Sequence, residues 1–160
     1  MENKKVIAHD MFQKEYEINK DGLNMSTHIY GIAIKNNQLL IVPQFEGFDL
    51  PGGTAEKGET HIETLKREFK EETGYTIEPQ KLLNVYTSFF HHPMENKDYQ
   101  CYMIYYLVNI LDGEISTEGF DDYEKEYAQT AKWVDINELK QMRHICSIDP
   151  IDELFNMINQ

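Results

Sequence analysis

Residues 53–75 read GTAEKGETHIETLKREFKEETGY, and this stretch decides the fold. Thr60-His61-Ile62-Glu63 has the form of a capping box, so Thr60 is the N-cap of a predicted helix. Gly74 follows the last periodic residue and suits a left-handed stop. Between them Ile62, Leu65, Phe69 and Thr73 recur at helical spacing and form the stripe that faces the core. Glu68, Glu71 and Glu72 fall on the adjacent stripe, because positions i, i+3 and i+4 share a face. One side of the helix anchors it, and the neighbouring side points several carboxylates at one spot.

A glycine loop, Pro51-Gly52-Gly53, and a further acid, Glu59, precede the helix. Carboxylates this close repel one another. A chain keeps such a cluster beside its core mainly when something positive sits there. Mg²⁺, a hard cation that takes oxygen ligands, is the candidate.

The spacing Gly53, five residues, Glu59, seven residues, then Arg67-Glu68-Phe69-Lys70-Glu71-Glu72-Thr73-Gly74-Tyr75 resembles the Nudix box. Phe69 and Tyr75 stand where that family usually has aliphatic residues, and both are still apolar. Leu50-Pro51-Gly52-Gly53 resembles the family's entry into the motif. Lys132-Trp133-Val134-Asp135, followed by Glu138-Leu139, resembles its late strand and short helix.

The resemblance implies an α+β domain of Nudix type, an α/β/α sandwich with a mixed sheet. It implies hydrolysis of a diphosphate linkage in a nucleoside diphosphate derivative or a nucleoside triphosphate, by attack of water on phosphorus. Mg²⁺ is the implied cofactor, with Mn²⁺ able to substitute, because divalent ions neutralise phosphates and activate water. Glu68 and Glu72 are then the first metal ligands, with Glu71 close behind. Gly53 adds its backbone carbonyl, and Glu59 reaches the ion directly or through water. Arg67 joins the catalytic set by bracing the acids, since a guanidinium holds two carboxylate oxygens in a fixed fork. The catalytic base in the family often lies in the loop before the late tryptophan strand. Glu126, seven residues before Trp133, is the first candidate there, ahead of Glu124 and Glu118. Lys57 is the candidate phosphate contact, and Phe45 and Phe48 are candidates for stacking on a base. Where the family often carries an arginine at the end of the strand before the box, this chain has Val42-Pro43-Gln44, which leaves specificity unassigned. A Nudix-fold ligand-binding or regulatory domain without hydrolysis is the alternative. Dimers are common in the family, so a homodimer is open.

Composition bounds the rest. A chain of 160 residues with 41% hydrophobic content suits one globular domain over residues 1–160. The net charge of −13, with only Arg67 and Arg143 as arginines, disfavours nucleic-acid polymers as partners but leaves a small phosphorylated substrate open. The longest apolar run, Cys101 to Val108, falls far short of the roughly 18 residues of a membrane span. No signal-peptide pattern opens the chain, and two cysteines, Cys101 and Cys146, give no disulfide framework. A cytoplasmic protein with reduced thiols is expected.

Alternation and turn residues predict the remaining elements. Strands are expected at Thr27 to Lys35, Leu39 to Pro43, Phe48 to Leu50, Leu82 to Phe90, Tyr99 to Leu111 and Lys132 to Val134, with a weaker one at Val6 to His9. A short helix is expected from Asn137 to His144, and a last one capped by Asp149 and opened by Pro150. His91-His92 precedes Pro93, and a loop contact near substrate is the candidate role for this pair.

Overall fold

A computed structural model describes residues 4–145 and residue 156 of the chain. Its order is β1 (Lys5–His9), β2 (Glu15–Asn19), β3 (Asn24–Ile32), β4 (Ile34–Lys35), β5 (Gln38–Gln44), β6 (Gly47–Asp49), β7 (Gly52–Thr54), α1 (His61–Thr73), β8 (Thr76–His92), β9 (Lys97–Asp112), α2 (Glu124–Tyr127), β10 (Lys132–Asp135) and α3 (Ile136–Leu139). Six strands form one sheet in the order β2-β1-β8-β9-β3-β7, and β10-β5-β4 form a second, with β6 on β5. The large sheet is mixed: β3 runs parallel to β9, whereas β8 and β9 are antiparallel. The α+β class and the mixed sheet follow as expected.

Strict alternation along the strands builds a core on each face. Leu39 and Ile41 of β5 enter one cluster with Tyr30, Met103, Tyr105, Val134 and Leu139. Leu40 and Val42 enter the other, with Ile29, Val108, Ala131 and the α1 residues Leu65 and Phe69. Successive strand residues point to opposite sides, so one sheet layer feeds two apolar layers. Helix α1 covers one layer, and α3 reaches the other through Leu139.

The box helix forms as its signals predict. The Thr60 side chain accepts from Glu63 N, the Glu63 side chain accepts from Thr60 N, and Gly74 closes the helix at φ 81°. Several elements differ from expectation. Strand β2 is absent from the reading of the sequence; it pairs antiparallel with β1 and extends the sheet edge. The ribbon β8–β9 is longer than predicted, because β8 starts at Thr76, directly after the Gly74 stop. Helix α3 ends at Leu139 instead of His144. The residues after it go into backbone pairing with β6: Phe48 N donates to Arg143 O at 2.9 Å and Ile145 N to Phe48 O at 2.9 Å. The predicted helix after Asp149 lies outside the described residues, as does Cys146. Cys101 is a buried free thiol, and burial pushes its pKa up to about 11. Among the described residues, no helix is long and apolar enough to cross a membrane.

The two helix ends make unequal contributions. Truncating the cap, Thr60→Ala, is expected to cost about 1 kcal/mol. Gly74→Ala is expected to cost more, because its Cβ meets Glu114 O at 2.2 Å as well as a left-handed backbone. Urea unfolding of both variants checks the order, and a smaller loss for Gly74→Ala contradicts it.

Candidate active site

The spacing along α1 puts Arg67 among the acids it was expected to brace. Its Nε donates to Glu59 Oε1 at 2.6 Å and its Nη2 to Glu59 Oε2 at 2.8 Å, a two-pronged bond. Nη1 donates to Glu68 Oε1 at 2.8 Å and to Glu71 Oε2 at 3.4 Å. Nη2 also reaches the Thr54 carbonyl at 3.3 Å, which ties the helix to the glycine loop. The Arg67 fork holds the Glu59 carboxyl down at about 2, well below the ordinary carboxylate range. Glu59 further accepts from the Thr64 hydroxyl at 2.9 Å and from Glu56 N at 3.0 Å. It is therefore committed to the brace.

Glu68 and Glu72 stand differently. The Glu68 carboxylate lies where a side chain on residue 53 would be: a Cβ there would meet its Cδ at 2.5 Å. Only glycine allows the loop to approach this acid. Burial drives the Glu68 pKa up to about 7, against the pull of Arg67, with Glu71 adding to the rise. Glu72 accepts from Gly52 N at 2.8 Å. Burial pushes it well above the ordinary range, and the charges of Asp49, Glu68 and Glu124 push the same way.

These residues line a cleft of about 530 Å³. Seven carboxylates face it, those of Asp49, Glu56, Glu68, Glu71, Glu72, Asp121 and Glu124, against the single guanidinium of Arg67. Among the described residues, no three His, Cys, Asp or Glu side chains stand close enough to hold an ion by themselves. An ion here would need backbone carbonyls, water and substrate oxygens to complete its shell, which is how Mg²⁺ is usually bound. The donor set is all oxygen, half-buried at the three helix acids and short of positive charge, so it fits such an ion.

The structure gathers the helix acids on one cleft and leaves several of the expected loop residues outside its lining. Glu126 is exposed and does not line the cleft; the α2 turn aims Glu124 inward instead. Glu124 N donates to Asp121 Oδ1 at 2.7 Å, and Asp121 N donates to Glu124 Oε2 at 2.8 Å, which sets the turn. Gly119 brings this loop onto α1, where a Cβ would meet Glu71 Cα at 2.5 Å. Burial raises the Glu124 pKa. Lys57 is exposed and outside the cleft lining. Phe48 is fully buried in the core, so it has no face to offer a base. Phe45 does line the cleft, stacked on Tyr127 at 5.0 Å between centroids. Of the histidine pair, His92 lines the cleft, and His91 turns away to Asp98 at 2.8 Å and stacks on Tyr16. Asp49, His28 and Tyr127 also line it, and no local signal marks them; only the fold brings them to the helix acids.

A NUDIX domain model matches residues 26–153. The chain belongs to the Nudix hydrolase family. It is 31% identical over 153 residues to the ADP-ribose pyrophosphatase of Methanocaldococcus jannaschii, covering 86% of this chain and 84% of that protein. The fold is similar to the solution structure of the E. coli ORF135 protein, with TM-score 0.63 and 17% identity over 86% of this chain and 92% of that one. It is also similar to an ADP-ribose pyrophosphatase from Streptococcus suis, with TM-score 0.62 and 15% identity over 84% of this chain and 90% of that one.

The raised carboxyls set a pH dependence of stability. Above 4.5, the ordinary glutamate value, and up to about 7, the folded protein keeps a proton on Glu68 that the unfolded chain has lost. Stability of the metal-free protein therefore falls as pH rises through this window. Urea unfolding in EDTA is expected to give a lower midpoint at pH 7.5 than at pH 5. Glu72→Gln is expected to recover part of the loss, and a Glu72→Gln midpoint no higher than wild type at pH 7.5 contradicts the account.

Proposed function

We propose that this Nudix hydrolase cleaves the diphosphate linkage of a nucleoside diphosphate derivative, with ADP-ribose as the first substrate to test, and that it needs Mg²⁺ or Mn²⁺ to do so. The observation that carries this reading is the cleft's seven carboxylates against one guanidinium. A trianionic or dianionic substrate does not enter such a cleft without added positive charge. A divalent ion supplies that charge, acting as a Lewis acid on phosphoryl oxygen and lowering the pKa of bound water.

The chain's own residues then divide the work. Glu68 and Glu72, with Glu71 beside them and the Gly53 carbonyl, are the groups that hold the ion. Glu59 acts through Arg67, because its oxygens are already engaged by the guanidinium, Thr64 and Glu56. Arg67 fixes Glu68 and Glu71 in place, so they need no reorganisation when substrate arrives. Glu124, across the cleft from α1, accepts the proton of the attacking water. Its raised pKa moves it toward the working pH, which suits a general base. Water oxygen bonds to one phosphorus, the bridging P–O bond breaks, and two phosphate monoesters leave. The relationship to the M. jannaschii enzyme is what singles out ADP-ribose.

A phosphate-release assay over a nucleotide panel tests the reading. Turnover of at least one nucleoside diphosphate derivative is expected with Mg²⁺ and none in excess EDTA; equal turnover in EDTA refutes the metal requirement. Binding without turnover across the panel favours the regulatory alternative. Glu72→Gln is expected to weaken Mg²⁺ binding and to lower kcat by about 10²–10³. Glu124→Gln is expected to lower kcat by about 10²–10⁴ while calorimetric Mg²⁺ affinity is kept, and Glu126→Gln to leave both near wild type. A large loss in Glu126→Gln with none in Glu124→Gln returns the base to Glu126.

A further inference from the structure

The acid cleft does not end at its carboxylates. His28 and Tyr30 of β3 line it and also line a second cavity, of about 110 Å³. Phe89, Phe90, Cys101 and Met103 make this second cavity largely apolar. Its remaining wall is the turn between β1 and β2, which contributes Asp10 and Gln13, while Met11 of the same turn faces the acid cleft. The family match begins at residue 26, so this hairpin lies ahead of the matched domain.

The turn is pinned from within and without. Asp10 is buried and accepts from Phe12 N at 2.8 Å, Lys14 N at 3.0 Å and the Tyr16 hydroxyl at 3.0 Å. The Gln13 side-chain amide donates to the Ile145 carbonyl at 2.7 Å, a contact between opposite ends of the described chain. Strand β1 meets β8 in parallel at His9 and Phe90. The wall is thus built before any ligand arrives.

We propose that the β1–β2 hairpin is the specificity element of this enzyme, closing a pocket that takes the nucleobase of the substrate while its phosphates lie at the acid helix. The proposal rests on the hydrolase reading above. A nucleoside diphosphate joins a flat, mostly apolar end to a charged one, and the two adjoining hollows have those two characters. Binding sites of this kind are mainly apolar, with a few polar groups that fix orientation; here Ser88 and Gln13 are in place for that. The sulfur atoms of Cys101 and Met103 make favourable neighbours for an aromatic ring. A diphosphate with no base has nothing to put there.

Calorimetric titration with ADP and with inorganic pyrophosphate, both with Mg²⁺, tests the assignment. The wild type is expected to bind ADP at least about tenfold more tightly than pyrophosphate. Ser88→Phe, which fills the cavity, is expected to erase that preference and keep pyrophosphate affinity, which also reports an intact fold. Gln13→Ala, which cuts the tie to Ile145, is expected to reduce the preference about threefold or more. If Ser88→Phe no longer binds pyrophosphate, Gln13→Ala decides. Equal wild-type affinity for the two ligands overturns the proposal, and so does an undiminished ADP preference in the deciding variants. Tyr123 also lines the acid cleft, its ring 4.9 Å from that of Tyr127; loss of the preference in Tyr123→Ala with none in Gln13→Ala places the base beside these rings and overturns the proposal as well. Turnover is not read, so a protein that prefers ADP but hydrolyses nothing refutes the hydrolase reading and leaves the pocket standing.

Discussion

One guanidinium holds the site together. Arg67 bonds Glu59 through two nitrogens, reaches Glu68 and Glu71 with a third contact point, and touches the Thr54 carbonyl. Lysine cannot make this pattern, because its ammonium is a point charge and not a planar fork. The arrangement still leaves a deficit of positive charge. Arg67 satisfies Glu59 in full, whereas burial keeps Glu68 and Glu72 well above the ordinary carboxylate range. Raised carboxyl pKa values meet that deficit with protons, and the proposed divalent ion would meet it by replacing them. The proposed ion would relieve the same electrostatic strain that is expected to weaken the metal-free fold.

The fold exists, for this purpose, to bring four separate segments to one helix face. Strand β7 delivers the glycine loop, and its pairing with β3 sets Ile29 opposite Gly53. Helix α1 is anchored by Leu65 and Phe69 in one core layer. The α2 turn comes in from the far end of the chain, held by Gln129 N to Pro43 O at 2.8 Å and by Gly119 against Glu71. The N-terminal hairpin closes the remaining side.

The sequence by itself determined the box helix, its caps, the stripe that buries Leu65 and Phe69, and the acids on the neighbouring stripe. These are local matters: capping, glycine stops and i, i+4 geometry act within one turn of chain, so residue type and spacing suffice. Strand faces were legible for the same reason, as the alternation of Leu39, Leu40, Ile41 and Val42 between two core layers shows. The tertiary structure alone decided which loop acids line the cleft, Asp121 and Glu124. In a loop carrying Glu118, Asp121, Asp122, Glu124 and Glu126, side-chain direction depends on the turn at Asp121 and on the docking of Gly119, neither of which has a periodic signature. It also decided that Phe48 belongs to the core and Phe45 to the cleft, because pairing of β6 with β5 and with Arg143–Ile145 turns one ring inward. The placement of the N-terminal hairpin was hidden as well. Its contact with Ile145 spans nearly the whole described chain, and nothing in a linear pattern encodes a partner that far away.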